Sequence, residues 1–177
     1  MPKHNKLPTL QNTTTLFFDG ACSPRNPGGY STFGWWIQKN NEVYAFNYDT
    51  HCLPGPNSTC NVAEYAALIA GLNGITVKGD SQFVINQVTH YWRIHSPLLL
   101  PLYQEAIALV SQCPHINFSW IPREQNSDAD FLSKQAYQDA IVANGPFTYT
   151  PPAPLTLYPD FYRLPLSTQR QLLRQYR

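Results

Sequence analysis

Four acidic side chains lie where a predicted strand ends or a predicted helix begins. Asp19 follows an apolar run at residues 16–18, and Asp80 ends another strand pattern. Glu64 and Asp130 each fall in the first turn of a predicted helix. A carboxylate beside a buried strand is costly unless a cation compensates it, and hard divalent cations prefer oxygen ligands. If the four converge, two such ions about 3.5–4 Å apart could activate a water and stabilise the leaving oxygen of a phosphodiester.

Each carboxylate also has an ordinary local interpretation. Asp19 precedes a glycine, as in common turns. Glu64 and Asp130 each lie three residues after a residue able to cap a helix. Asp80 is itself placed as a helix N-cap. Taken singly, these local roles are favoured, and only the joint arrangement favours a metal site.

Periodicity and turn signals predict the elements that would position these residues. The predicted strands are at 13–19, 30–38, 42–48, 75–80 and 116–121, and the predicted helices at 61–72, 81–89, 98–111 and 126–142. The first three strands form an antiparallel meander. A right-handed crossover then makes the fourth strand parallel to the first, so that Asp19 and Asp80 lie at one edge of the sheet. Sites in open sheets form where connections to opposite sides begin, and the two helix starts can reach that point.

The bulk composition excludes several classes of protein. The chain has 177 residues, 43% of them apolar and 13% charged, which predicts one packed domain with some chain left over rather than a disordered chain. Its net charge of +1 means that phosphates would be met by a local patch or by bound metal. The four cysteines match neither a zinc pattern nor a disulfide framework, which predicts free thiols. With no membrane-span pattern and no signal peptide, we expect a soluble cytoplasmic protein.

Four separated motifs carry a resemblance to a known family. They are Asp19-Gly20-Ala21-Cys22 with Asn26-Pro27-Gly28-Gly29, Asn61-Val62-Ala63-Glu64-Tyr65-Ala66-Ala67-Leu68, Gly79-Asp80-Ser81-Gln82-Phe83-Val84, and Pro122-Arg123-Glu124-Gln125-Asn126 with Ala129-Asp130-Phe131-Leu132-Ser133. In this order and at these spacings they resemble the type 1 ribonuclease H family over about residues 14–143. The resemblance implies an α/β ribonuclease H-like fold, with a five-stranded mixed sheet in order 3-2-1-4-5 and helices on both faces.

The resemblance also implies an activity, which is endonucleolytic hydrolysis of the RNA strand of RNA–DNA hybrids. The cofactor would be Mg²⁺, two ions with substrate bound, with Mn²⁺ as a substitute, and the products would carry 5′-phosphate and 3′-hydroxyl ends. The implied catalytic and metal-binding set is Asp19, Glu64, Asp80 and Asp130. Asp19 would be shared by both ions, and Glu64 would also contact a 2′-hydroxyl. Two alternatives stay open, a non-catalytic hybrid-binding module and a DNA-directed nuclease of the same fold.

Five further residues match substrate-binding positions of the family. Asn26, Asn61 and Gln82 match positions that contact sugars and bases in the minor groove. Thr59 matches a position that binds a phosphate of the DNA strand. Arg123 is placed to meet the scissile phosphate or to help product leave. The alternative for each is a turn, a helix cap or a surface position.

The chain departs from the family pattern at two places. The loop before the last carboxylate reads Pro122-Arg123-Glu124-Gln125-Asn126 and lacks the histidine that many relatives have there. Residues 89–96 hold one formal cation, where one kind of bacterial relative has a basic protrusion that grips the hybrid. The chain is therefore closest to the branch without that protrusion, and another grip on the hybrid would be needed.

Three regions of the chain are predicted. Residues 1–12 form a flexible tail, residues 13–144 form the ribonuclease H domain, and residues 145–177 form a Pro-rich extension ending in a short basic helix. The extension is predicted to pack on the domain or on a neighbouring subunit. The alternative is that its arginines contact nucleic-acid phosphates in place of the missing protrusion.

Overall fold

The computed structural model describes residues 14–72, 76–113 and 115–147. The predictions for the N-terminal tail and for the basic helix of the extension lie outside these residues. Within the described part of the chain, no helix is both long and apolar enough to span a bilayer.

The described residues form one five-stranded sheet with helices on both faces. The elements are β1 Thr14–Ser23, β2 Tyr30–Lys39, β3 Glu42–Cys52, α1 Cys60–Gly71, β4 Thr76–Gly79, α2 Gln82–Val88, α3 Leu100–Val110, β5 Asn117–Trp120 and α4 Ser127–Asn144. The strand order is β3-β2-β1-β4-β5. β2 is antiparallel to both of its neighbours, whereas β4 is parallel to β1 and to β5. The predicted fold and strand order are confirmed.

β1 lies at the centre because its side chains serve two cores. Leu16 and Phe18 are fully buried in the larger core, which also contains residues of α1, α2 and α3. Phe17 points to the opposite face, where its ring stacks on Trp36 at a centroid distance of 4.4 Å, in a smaller core with the start of α4. A strand covered on both faces reads as a continuous apolar run, and β1 has such a run from Leu16 to Phe18.

β1 does not end at Asp19 as the Asp-Gly turn signal predicted. It continues to Ser23, because β2 stays paired with it from Asp19 opposite Gly34 to Ser23 opposite Tyr30. β4 pairs with β1 only as far as Phe18 opposite Gly79. Beyond that pair one edge of β1 has no partner strand among the described residues, and Asp19 is the first residue at this open edge.

Candidate active site

Three of the four predicted carboxylates meet at the open edge of β1. The parallel register of Phe18 and Gly79 places Asp19 and Asp80 at the next position of each chain. Ligand oxygens of Asp19, Glu64 and Asp80 all lie within 4.8 Å of one another. The predicted convergence of these three side chains is therefore present in the fold.

Gly20 allows α1 to bring Glu64 to this point. A β-carbon at Gly20 would lie 2.1 Å from the backbone nitrogen of Glu64 and 2.3 Å from the carbonyl carbon of Ala63. Only a residue without a side chain permits a helix backbone this close to a strand. Gly20 is therefore required for the packing of α1 against β1.

Gly34 allows the same close approach on the other face of the sheet. It lies opposite Asp19 on β2, and a β-carbon there would be 2.6 Å from the backbone nitrogen of Ser133 on α4. The Ser133 hydroxyl donates a hydrogen bond to Asp19 Oδ2 at 2.5 Å. Thr32 Oγ1 donates to the Ser133 carbonyl at 2.9 Å and holds this turn of the helix against β2. Ser133 was quoted in a motif, but the sequence assigned it no role.

Asn126 ties the carboxylate site to the start of α4. Its side chain is 1% exposed, and its Nδ2 donates to Asp80 Oδ1 at 2.7 Å and to the Phe18 carbonyl at 2.8 Å. Asn126 is the N-cap residue of α4, yet its side chain makes no capping hydrogen bond. The Trp120 indole N–H donates to the Asp80 carbonyl at 3.0 Å, so both the backbone and the side chain of Asp80 are held.

The site is electrostatically strained by its own negative charge. Asp19 is 3% exposed, and its pKa is raised to about 6 by burial and by Asp80 and Asp130, against the lowering effect of the Ser133 hydrogen bond. Burial, followed by the charge of Asp19, raises the pKa of Glu64 well above its usual value. Glu64 Oε2 is buried and accepts no hydrogen bond from the described residues. These groups need protons or cations.

Asp130 lies beside this group but in a different setting. Its carboxylate forms ion pairs with Arg123 and with Lys134, four residues later on α4. Burial acts to raise its pKa, but the hydrogen bonds from Lys134 and Arg123 outweigh it and lower the pKa below its usual value. Asp130 is near enough to raise the pKa of Asp19, so the structure brings all four carboxylates into one region with Asp130 at its rim.

Three of the predicted substrate-binding residues surround the start of α1. Thr59 is the N-cap, and its hydroxyl accepts from the Val62 N–H at 3.2 Å. Asn26 Oδ1 accepts from the Cys60 N–H at 3.1 Å, and its Nδ2 donates to Cys60 Sγ at 2.9 Å. Asn61 follows in the first turn. These bonds hold the loop before β2 against α1, and the predicted substrate contacts of the three residues stay predictions.

The other two predicted substrate-binding residues lie on either side of the carboxylates. Gln82 is exposed at the start of α2, and its backbone N–H donates to the Asp80 carbonyl at 3.1 Å. The Arg123 side chain is 66% exposed and reaches Asp130 from the short turn Arg123–Gln125 before α4. Both side chains can therefore meet a molecule that approaches from solvent.

The sheet order and the carboxylates at the β1–β4 edge define a ribonuclease H-like protein. A family model described as reverse transcriptase-like matches residues 17–136. The bifunctional protein Rv2228c of Mycobacterium tuberculosis is 42% identical over 91 residues, which is 47% of this chain and 25% of that protein. Ribonuclease HI of Halobacterium salinarum is 34% identical over 133 residues, which is 70% of this chain and 64% of that protein.

Solved structures similar to this chain are also ribonucleases H. The N-terminal RNase H domain of Rv2228c is 31% identical, with a TM-score of 0.66 over 75% of this chain and 99% of that chain. RNase H1 of Halobacterium salinarum is 31% identical, with a TM-score of 0.64 over 72% of this chain and 98% of that chain. The chain therefore belongs to the type 1 ribonuclease H family. It spans only about a quarter of the length of Rv2228c.

Proposed function

We propose that this chain is an endoribonuclease that hydrolyses the RNA strand of RNA–DNA hybrids with two divalent metal ions. The observation that carries the proposal is the group formed by Asp19, Glu64 and Asp80, whose oxygens lie within 4.8 Å of one another at the open edge of β1. Membership of a family that includes a ribonuclease HI 34% identical to this chain supports the substrate class.

The donor atoms fit Mg²⁺, with Mn²⁺ as a substitute. All three side chains offer only oxygen, and one of those oxygens, Glu64 Oε2, is buried without a partner among the described residues. In the described part of the chain, the ion pairs involve only Asp130 and leave these three carboxylates uncompensated. Ions held by these three carboxylates would supply the charge that activates a water and stabilises the leaving oxygen, and the proposed products carry 5′-phosphate and 3′-hydroxyl ends.

The protein's own contribution is to hold the ligands in place before substrate arrives. Ser133 fixes one oxygen of Asp19, and Asn126 fixes one oxygen of Asp80. Ligands held by their own hydrogen-bond partners lose little freedom when a cation binds. Asp19, which lies on the buried central strand, is proposed as the ligand shared by both ions on the strength of the family resemblance.

Asp130 is proposed to complete the set once its ion pairs open. Each of its oxygens already accepts from a cationic side chain, Arg123 at Oδ1 and Lys134 at Oδ2, so these two partners would compete with a metal ion for Asp130. Arg123 released in this way would be free to meet the scissile phosphate or the departing product. Both cationic side chains are more than 60% exposed, at 66% and 63%, so each can turn into solvent at small cost.

The hybrid is proposed to lie across the starts of α1 and α2. Asn26, Asn61 and Gln82 would contact sugars and bases in the minor groove, and Thr59 would bind a phosphate of the DNA strand. Glu64 would in addition contact the 2′-hydroxyl that distinguishes RNA. The catalytic domain is proposed to span residues 13–144, and the cytoplasm is the proposed compartment.

One assay separates this proposal from its two alternatives. The full chain is incubated with end-labelled RNA–DNA hybrid, double-stranded RNA and double-stranded DNA, with Mg²⁺, Mn²⁺ or a chelator. Cleavage of the hybrid's RNA strand alone, lost with the chelator, supports the proposal. Binding of hybrid without cleavage would instead identify a non-catalytic module, and cleavage of DNA would identify a DNA-directed nuclease.

A further inference from the structure

An apolar groove opens between the start of α4 and the neighbouring strands β2 and β3. It has a volume of about 440 Å³ and is lined by Trp36, Gln38, Asn41, Val43, Phe46, Asp128, Phe131 and Leu132. The side chains of Val43, Phe46 and Phe131 are 66%, 60% and 63% exposed. Clustered large apolar side chains at this exposure indicate a surface that another segment covers.

A second cavity continues along the same line. It has a volume of about 220 Å³, and its walls are residues 48–50 of β3 and the last two turns of α4, up to Asn144. The two cavities together form what we call the β3–α4 seam, which runs beside α4 over nearly its full length. β3 is also an edge strand of the sheet, and proteins commonly cover long edge strands.

The chain leaves α4 at the end of the seam formed by the second cavity. Asn144 ends α4, and the Tyr30 hydroxyl donates to the Gly145 carbonyl at 2.9 Å, which anchors the exit point. Residues 148–177 follow. The 18 residues of α4 span about 27 Å at 1.5 Å per residue, a distance that roughly eight or nine extended residues can cover. The extension is therefore long enough to return to the apolar groove.

The composition of the extension complements the seam. Residues 155–166 hold leucine and aromatic side chains between prolines, and Pro-rich extended segments dock in aromatic-lined grooves at low entropic cost. The basic residues of the extension are Arg163, Arg170, Arg174 and Arg177, against the single acid Asp160. The acidic residues along the seam are Asp49 and Asp139 at the second cavity and Asp128 at the groove.

We propose that residues 148–177 pack back along the β3–α4 seam, with apolar side chains of residues 155–166 in the apolar groove. Their arginines would face the aspartates that line the seam. The extension would then stabilise the domain along β3 and α4, rather than serve as the missing grip on the hybrid. The proposal is independent of the catalytic one, because none of the carboxylates of the active site lines the seam.

Limited trypsin digestion of the full chain tests the docking. Phe46→Ser with Phe131→Ser removes apolar contact in the groove, whereas Val142→Ser is the matched control, since Val142 is on α4, 88% exposed and in neither cavity wall. We expect the double variant to be cut after Arg163, Arg170 and Arg174 at least about fivefold faster than the parent, and the control to be cut at the parental rate. Equal rates in all three proteins would overturn the proposal.

A reciprocal measurement excludes the other occupants. Tyr158→Ser with Phe161→Ser alters only the extension, and we expect faster hydrogen exchange of the backbone amides of β3 and the first turns of α4. Unchanged exchange there would contradict docking.

Gel filtration of the full chain at several concentrations is expected to give a monomer throughout. A dimer that the groove variant abolishes would instead assign the groove to a second copy of the chain.

Discussion

α1 and α4 approach the same central strand from opposite faces of the sheet, yet they fix their carboxylates in opposite ways. Glu64 on α1 forms no ion pair with any of the described residues, and its pKa is raised well above the usual value. Asp130 on α4 is held by two cationic side chains, and its pKa is lowered. Glu64 would therefore gain from a bound cation, whereas Arg123 and Lys134 would compete with such a cation for Asp130.

Asp19 lies close to Glu64 of α1 and accepts a hydrogen bond from Ser133 of α4, so removing its charge should have the largest effect. Asp19→Asn is expected to reduce hybrid cleavage in saturating Mg²⁺ by about 10³-fold or more, because Asp19 is the proposed shared ligand and such a ligand would stabilise charge on both sides of the reaction. Single-turnover cleavage of labelled hybrid measures the loss. The variant should melt at or above the parental temperature without metal, and retained activity would refute the site.

The pair Glu64→Gln and Asp130→Asn tests the contrast directly. Both should lower cleavage, by about 10²-fold for Glu64→Gln and less for Asp130→Asn, whose position binds a metal ion only after exchange. Their effects on metal-free stability at pH 8 should have opposite signs. Glu64→Gln is expected to raise the melting temperature, because it removes an uncompensated buried carboxylate.

Asp130→Asn should lower the free energy of unfolding, but by no more than about 1 kcal/mol, since its partners are exposed. Thermal melting with a chelator present measures both variants. Lys134→Gln serves as the matched control for Asp130→Asn, because it removes one of the two ion pairs and leaves the carboxylate in place. If the melting temperatures of Glu64→Gln and Asp130→Asn shift in the same direction, the contrast between the helices is wrong.

The pH dependence of metal-free stability separates the same two settings. The pKa of Asp19 is about 6 in the folded state instead of 3.8, so its contribution to the free energy of unfolding is lost as the pH rises from about 4 to 6. The raised pKa of Glu64 extends this loss to higher pH. A shift of that size corresponds to about 3 kcal/mol for Asp19. The pKa of Asp130 is lowered in the folded state, so Asp130 stabilises the fold at pH values above its usual pKa. That stabilisation is lost only as the pH falls below this value.

Urea unfolding between pH 3 and 8 measures this dependence. Above pH 4, the free energy of unfolding should fall less steeply with pH in Asp19→Asn, because the buried charge is removed. It should also fall less steeply in the presence of Mg²⁺, because the ion compensates the charges that burial penalises. A slope that Mg²⁺ leaves unchanged would argue against metal binding at this group.

Ser133→Ala should give the smallest of these effects. The hydroxyl lowers the pKa of Asp19 and holds Oδ2, so its loss should raise that pKa further and weaken metal binding by about fivefold, as for one hydrogen bond of about 1 kcal/mol. The Mg²⁺ concentration for half-maximal cleavage should rise, and the pH–activity profile should move to higher pH. Ser111→Ala, which removes an exposed hydroxyl at the end of α3, is the control and should change neither.

Local pattern allowed the sequence to predict the antiparallel meander of β1 to β3 and the parallel pairing of β4 with β1, whereas the full strand order followed only from the family resemblance. Alternating and helical periodicity located the strands and helices, and the parallel crossover placed Asp19 beside Asp80. Asp19 was wrongly predicted to end its strand, because Asp-Gly is a local turn signal, whereas pairing with β2 is a non-local interaction that outweighs it.

The roles of Ser133 and Asn126 could not be predicted because they depend on tertiary distances. Asn126 precedes a helix, where a cap is the expected role, but its side chain bonds the Phe18 carbonyl, 108 residues away in the chain. The close approach of α4 at Gly34 could have been predicted, since a glycine inside a strand often indicates that another backbone comes close. Asp130 forms two ion pairs. The pair with Lys134 could be predicted from the sequence, because the two residues are four apart on a helix, whereas the pair with Arg123 depends on how the chain folds before α4.

The shortness of β4 has a consequence for how this chain can vary. β4 has 4 residues against the 10 of β1, and its last pair, Phe18 with Gly79, sets which face Asp80 occupies. One residue inserted into β4 would turn the side chains that follow it in the strand, and Asp80 after them, to the other face without altering a single charge. The catalytic edge therefore depends on chain length here as strictly as on residue identity, and a gain or loss of one residue at this strand would be as damaging as losing Asp80 itself.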